Sequence, residues 1–241
     1  MLYPTLLSNL NKRKTIAALI DPDKHTIRSL TKTVDIIDKA NVGFILYGGS
    51  LVSDRLPQSI EIIKQHTAKP VFLFPGSLLQ LSCQADGIFL LSLISGRNPE
   101  LLIGNHVQAA PFLKKSGMEI IPVGYILVGQ GRAATSVEYM SQTIPIPGEK
   151  PDIAVATAVA GEMLGLKIIY LEAGSGAEQH IAPETVKRVK NNISIPLIVG
   201  GGIRSANQAE TLFASGADVL VVGSAAEQNP EILLEFSQLT D

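Results

Sequence analysis

Cysteine is almost missing from this chain. Cys83 stands alone among 241 residues, which excludes an internal disulfide and any zinc site built on cysteine, and fits a reducing cytoplasm. Runs of lysine and arginine are missing too, and the formal net charge is −2. No polybasic patch draws the chain to an anionic membrane, and no global positive field draws it to nucleic acid. The histidines, His25, His66, His106 and His180, show no metal-ligand spacing. No stretch approaches the roughly 18 uncharged apolar residues that a spanning helix requires. Met1 to Lys14 lacks the basic-then-apolar layout of a signal peptide. Low-complexity tracts and short repeats are also absent. The expectation is a soluble, cytoplasmic protein.

What the chain has in quantity is short apolar runs. Hydrophobic residues make up 46% of it, enough to fill a barrel interior and to coat the inner faces of surrounding helices. Runs rich in Ile, Val and Leu, flanked by turn residues, predict strands near Thr15–Asp21, Gly43–Gly48, Pro70–Phe74, Gly87–Leu91, Glu119–Val128, Lys167–Glu172, Pro196–Gly200 and Val219–Gly223. Continuous apolar runs of this kind suit strands buried on both faces of a parallel sheet. Amphipathic stretches predict helices at Ile27–Ala40, Gln58–Thr67, Pro99–Ser116, Pro151–Leu164, Ala182–Asn191, Asn207–Ser215 and Pro230–Leu239. Eight strands with intervening helices point to one α/β domain over residues 1–241, a modified TIM (β/α)8 barrel.

One connection breaks the pattern. Only Pro75–Asp86 separates the third and fourth strands, and it is poor material for a full helix with two linkers. Either the third outer helix is lacking, leaving an apolar slot on the barrel flank, or it is merely short. The segment Gly129–Lys150, rich in Gly and Pro, reads as an active-site loop after the fifth strand.

The candidate chemistry sits at strand ends. Pro196–Arg204 carries three glycines between a buried strand and a helix, and Val221–Ala225 ends the eighth strand in Gly-Ser. Glycines let backbone amides approach an anion, and the loops after the seventh and eighth strands of such barrels often bind phosphate. A plain tight turn is the alternative. The sixth strand ends in Tyr170 to Ala177, and alternation puts Tyr170 and Glu172 on one face. Glu172 can accept a proton from an attacking hydroxyl, or else cap a helix or pair with an arginine. The first strand ends in Asp21-Pro22-Asp23-Lys24. Its carboxylates can hold Mg²⁺ or simply form a turn and a helix cap. Tyr47 to Ser50 offers a hydroxyl and backbone amides at the same rim. Two anion sites with a carboxylate between them suggest group transfer onto an alcohol.

These motifs resemble the geranylgeranylglyceryl phosphate synthase family, which includes the bacterial heptaprenylglyceryl phosphate synthases. The matching pieces are Leu19–Lys24, Tyr47–Ser50, Gly124–Ile126, Ile144–Pro147, Lys150–Ala154, Tyr170–Ala177, Val199–Arg204 and Val222–Ser224. They run in one order from about residue 15 to about residue 225. The resemblance implies a barrel whose third helix is replaced by irregular chain. It implies a prenyltransferase that joins the C3 hydroxyl of sn-glycerol 1-phosphate to a prenyl diphosphate in an ether bond. It also implies roles. Asp21 and Ser50 would help bind Mg²⁺ and the diphosphate. Tyr170, Leu171, Glu172, Ala173, Gly174, Ser175 and Gly176 would surround glycerol 1-phosphate, and Gly201, Gly202, Gly223 and Ser224 would hold its phosphate. Glu172, Tyr170 and Tyr125 would form the catalytic set. Leu19 and Ser224 depart from the shorter bacterial branch, which favours a geranylgeranyl donor. Homo-oligomers, dimeric or hexameric, and transient contact with a membrane surface are further implications. The rival readings are a sugar-phosphate isomerase or lyase on a similar barrel, which needs no apolar groove, and a barrel that binds a phosphate ligand without chemistry.

Overall fold

Eight parallel strands close on themselves in the computed structural model, which describes residues 2–10, 12–52, 56–129 and 135–240, leaving aside the side chains at 56 and 57. They are β1 (Thr15–Ile20), β2 (Val42–Tyr47), β3 (Val71–Leu73), β4 (Gly87–Leu93), β5 (Glu119–Gly129), β6 (Ile168–Glu172), β7 (Leu197–Gly200) and β8 (Val219–Val222). Each pairs with the next, and β8 pairs with β1. Closure leaves the barrel without an open edge. Around it lie α1 (Leu2–Leu10), α2 (Ile27–Lys39), α3 (Leu56–His66), α4 (Asn105–Ser116), α5 (Ser136–Ser141), α6 (Pro151–Met163), α7 (Pro183–Lys190), α8 (Ala206–Ala214), α9 (Ser224–Gln228) and α10 (Ile232–Ser237). Among the described residues no helix is long and apolar enough to cross a membrane.

Period-two alternation divides the core in two. Ala17, Phe44, Phe72, Phe89, Val123, Ile168, Ile198 and Val221 fill the barrel interior. Their neighbours Ile16, Ile45, Val71, Ile88, Ile126, Ile169, Leu197 and Leu220 face outward against the helices. This is why the strand sequences read as unbroken apolar runs. The mid-level of the barrel is a packed trio of rings, Phe44, Phe72 and Phe89, with centroids 5.3–5.8 Å apart.

Two of the features not anticipated bear on the barrel itself. The first is α1, which lays Leu6 against the interior cluster together with Leu2, Tyr3 and Leu10. Its orphan N-terminal amides are satisfied by the Glu119 carboxylate, which accepts from the backbone N–H of Leu2 and of Tyr3. The helix therefore closes the end of the barrel where the strands begin. The second is a π-turn at Glu100–Gly104 ahead of α4, where a single helix over Pro99–Ser116 was expected. The other predicted elements lie within a few residues of their expected places. The last expected helix is divided into α10 and a 3₁₀ turn at Gln238–Thr240.

Between β3 and β4 there is no outer helix, only a 3₁₀ turn at Leu78–Gln80. Deprived of a covering helix, Leu90 on β4 is only partly buried. Of the expected loop Gly129–Lys150, residues 130–134, including Gly131, lie outside the described residues; Ser136 onward forms α5.

Candidate active site

The strand C-termini open into a cavity of about 330 Å³. Its floor is a second layer of rings. Phe74 follows β3, while Tyr125 and Tyr170 sit side by side in register on β5 and β6. The three centroids lie 5.1–5.8 Å apart. One pleat further along β6 stands Glu172, 6% exposed and paired in register with Gly200 of β7.

Glu172 is held rather than free. Its Oε1 accepts the Gly174 N–H at 2.6 Å, so the loop after β6 curls back onto its own strand end. Burial pushes its carboxyl above the usual carboxylate range, against the opposing pull of the Gly174 amide and the Tyr170 and Tyr125 hydroxyls. Those hydroxyls lie close enough to favour the ionised carboxylate, yet the buried Tyr170 Oη lacks an aligned hydrogen-bond partner. Both phenols are pushed well above their ordinary value, first by burial and then by the neighbouring carboxylate. They therefore stay protonated, as potential donors to a bound hydroxyl.

The glycine loops face this carboxylate. Gly201 adopts φ +86°, and a Cβ there would stand 2.6 Å from Glu172 Oε1 and 2.9 Å from Gly174 N. Only glycine lets the β7 loop lie so close to the β6 loop. Ser175, Gly176, Gly201, Gly202, Gly223 and Ser224 all line the cavity. Arg204 bridges the same two loops, donating through Nη2 to the carbonyl of Ala177 at 2.8 Å and of Gly176 at 3.4 Å. Ser205 then caps α8.

The opposite rim is acidic. Asp21, Asp23 and Glu227 line the cavity with Gly49 and Ser50. The Asp21 carboxylate lies against Gly49, where a Cβ would come within 3.0 Å of it. Burial raises the Asp21 carboxyl and the Asp23 charge adds to this. Glu227 is raised by burial and then by Asp21. Among the described residues, the lining sets Asp21, Asp23, Glu172 and Glu227 against Lys24 and Arg204. Among the described residues the lining thus carries more carboxylates than cations. No three His, Cys, Asp or Glu side chains among the described residues are placed to hold a metal ion by themselves. The donor set fits an ion that takes one or two carboxylates and draws its remaining oxygens from ligand and water, as Mg²⁺ does.

A second, apolar cavity of about 180 Å³ runs from this rim down the barrel flank. Pro75, Leu78 and Leu81 wall it where the third outer helix is missing, Ile88 and Leu90 of β4 form its base, and His106 and Ala109 of α4 close the far side. It shares Gly49, Ser50, Phe74, Tyr125 and Val137 with the first cavity. The missing helix thus leaves a slot, and the slot opens into the polar site.

Most of the residues expected at the site meet here: Asp21, Ser50, Tyr125, Tyr170, Glu172, Ser175, Gly176, Gly201, Gly202, Gly223 and Ser224. Leu171, Ala173 and Gly174 do not line the cavity. Alternation turns Leu171 into the outer core, which Ala173 joins, and Gly174 serves through its amide on Glu172. Arg204 and Glu227 were not picked out from the sequence; a charged residue shortly after a glycine turn was the signal available for each. Cys83 is exposed and is not among the residues lining either cavity.

Residues 9–238 match the PcrB family. A geranylgeranylglyceryl phosphate synthase of Spirosoma linguale is 47% identical over 229 residues, covering 95% of this chain and 92% of its own. A protein of the same name from Pyrococcus horikoshii is 42% identical over 221 residues, covering 91% and 86%. Among solved structures, the (S)-3-O-geranylgeranylglyceryl phosphate synthase of Thermoplasma acidophilum, in complex with substrate sn-glycerol-1-phosphate, superposes with a TM-score of 0.93. It is 31% identical, and the match covers 99% of this chain and 98% of that one.

Proposed function

The chain belongs to the PcrB family, and from that membership we propose that it is a prenyltransferase joining sn-glycerol 1-phosphate to geranylgeranyl diphosphate. One observation supports this above others: a polar cavity with a buried carboxylate opens directly into an apolar groove. A sugar-phosphate isomerase has no use for the groove, and a passive binder has no use for a buried, oriented glutamate.

The phosphate of glycerol 1-phosphate binds the backbone of Gly201, Gly202, Gly223 and Ser224, with Arg204 holding the loops together. Its C3 hydroxyl lies at Glu172, between the phenols of Tyr170 and Tyr125. The prenyl tail lies in the groove and its diphosphate lies at the acidic rim. Asp21 and Ser50 would hold Mg²⁺ there, which when bound would supply charge neutralisation for the diphosphate leaving group. The C3 oxygen attacks C1 of the prenyl chain as the C1–O bond to diphosphate breaks. Diphosphate leaves with the bonding pair, and the hydroxyl proton passes to Glu172. Burial keeps both substrates dry and fixes their geometry, so positioning and electrostatics supply much of the rate.

The exposed face of α6 carries Ile153, Ala156, Ala160 and Met163 at helical spacing, with Leu164 beyond it. Such a face supports self-association, as a dimer or a hexamer. Light scattering with an Ile153→Lys variant tests it: a monomer is expected from the variant and an oligomer from the unaltered chain.

The deciding assay supplies Mg²⁺, glycerol 1-phosphate and prenyl diphosphates of several lengths, and identifies the ether product by mass. Absence of an ether product with every donor would end this reading.

A further inference from the structure

The turn that replaces the third outer helix carries an unusual residue. Gln80 is 2% exposed, although glutamine is mostly a surface residue. Its amide is committed to backbone groups. Oε1 accepts from the N–H of Gly49 and of Gly76, both at 3.3 Å, and Nε2 donates to the carbonyl of Gly49 at 2.8 Å.

These partners belong to two loops, one after β2 and one after β3, that touch backbone to backbone. A Cβ on Gly76 would stand 2.5 Å from the carbonyl oxygen of Gly49, and one on Gly48 would overlap the carbonyl of Phe74. Gln80 staples that contact. The stapled loop is also the junction of the site, since Gly49 and Ser50 line the polar cavity and the apolar groove alike. Gln80 itself lines neither.

We infer that Gln80 is a positioning residue for the diphosphate end of the prenyl donor: it fixes the Gly49–Ser50 backbone at the point where polar site becomes groove. The inference rests on the prenyltransferase reading above. An amide supplies an acceptor for two N–H groups and a donor for a carbonyl from one planar group. A carboxylate keeps the first and loses the second; an apolar side chain loses both and leaves three backbone groups without their partner. If Gln80 merely filled space, a side chain of similar volume would leave both substrates unaffected. If it sets the junction, the loss falls on the donor.

The test compares Gln80→Met, which roughly preserves volume, with the unaltered enzyme. Gln80→Met should raise KM for the prenyl diphosphate about tenfold, since a misplacement of about 1 Å can cost on the order of a hundredfold. KM for glycerol 1-phosphate should stay within about twofold. Calorimetric binding of inorganic pyrophosphate with Mg²⁺ should weaken by a similar factor of about ten. If Gln80→Met does not fold, Gln80→Glu is read by the same split. A folded variant whose two KM values rise together, or whose pyrophosphate binding is unchanged, overturns the inference. If the unaltered protein makes no ether product yet binds pyrophosphate, the prenyltransferase reading fails on its own, and the pyrophosphate comparison still decides the role of Gln80.

Discussion

At the scale of single residues, the site turns on the surroundings of Glu172. Its carboxylate is buried, accepts the Gly174 amide and lies beside two phenols that remain protonated. Glu172→Gln keeps the shape and removes the base that the proposed mechanism requires. Turnover should fall about a hundredfold or more, with glycerol 1-phosphate still bound; unchanged turnover would remove the base role. The pH dependence has a definite sign. Burial raises the Glu172 carboxyl, so protonation sets in at a higher pH than for an exposed glutamate. The base is the ionised form, so kcat should fall as pH is lowered through that raised pKa. Profiles at saturating substrate should show this acid limb in the unaltered enzyme and lose it in the Gln variant. Across the cavity, Asp21→Asn leaves the acidic rim with less charge. It should raise the Mg²⁺ concentration needed for half-maximal activity; an unaltered metal requirement would place the ion elsewhere.

Elements carry what individual residues cannot, and here the sequence was legible in some parts and not in others. Tyr170 and Glu172 could be placed on the inner face because a strand has period two, and the structure holds both within the cavity. The same rule turns the Leu171 side chain into the outer core, away from the cavity. Gln80 and Arg204 could not be read, because each acts by joining loops remote in sequence: Gln80 reaches Gly49 across 31 residues and Arg204 reaches Ala177 across 27. The helix α1 was missed for a similar reason, its amides being satisfied by Glu119, 116 residues from Tyr3. Arg204 offers a direct check on this scale. Its guanidinium ties the loop after β7 to the loop after β6, and both line the polar cavity. Arg204→Gln should raise KM for glycerol 1-phosphate about fivefold, a modest factor for an exposed charge-assisted latch. The KM of the prenyl donor should hardly move. Equal effects on the two substrates would mean that Arg204 supports the barrel mouth as a whole.

For the whole molecule, the decisive feature is something a regular barrel would not have. A full complement of outer helices would cover β4 and leave no way from the strand ends to the flank. Here the 3₁₀ turn at Leu78–Gln80 occupies the helix position, and the groove it leaves is lined by Leu78, Leu81, Ile88, Leu90 and Ala109. Its apolar walls favour a hydrocarbon tail through burial, at about 0.8 kcal/mol for each CH₂ enclosed. Chain-length preference should therefore follow the depth of the groove and not the chemistry at its mouth. Ala109 is the small buried residue on the α4 side, so Ala109→Phe should obstruct the groove partway along. The variant should keep its activity with short prenyl diphosphates and lose about tenfold or more in kcat/KM with long ones, the loss expected when two or three methylenes can no longer be buried. Competition assays with mixed donors, read by the mass of the ether products, would show the shift. A variant whose product spectrum matches that of the unaltered enzyme would mean that the tail does not run along this flank.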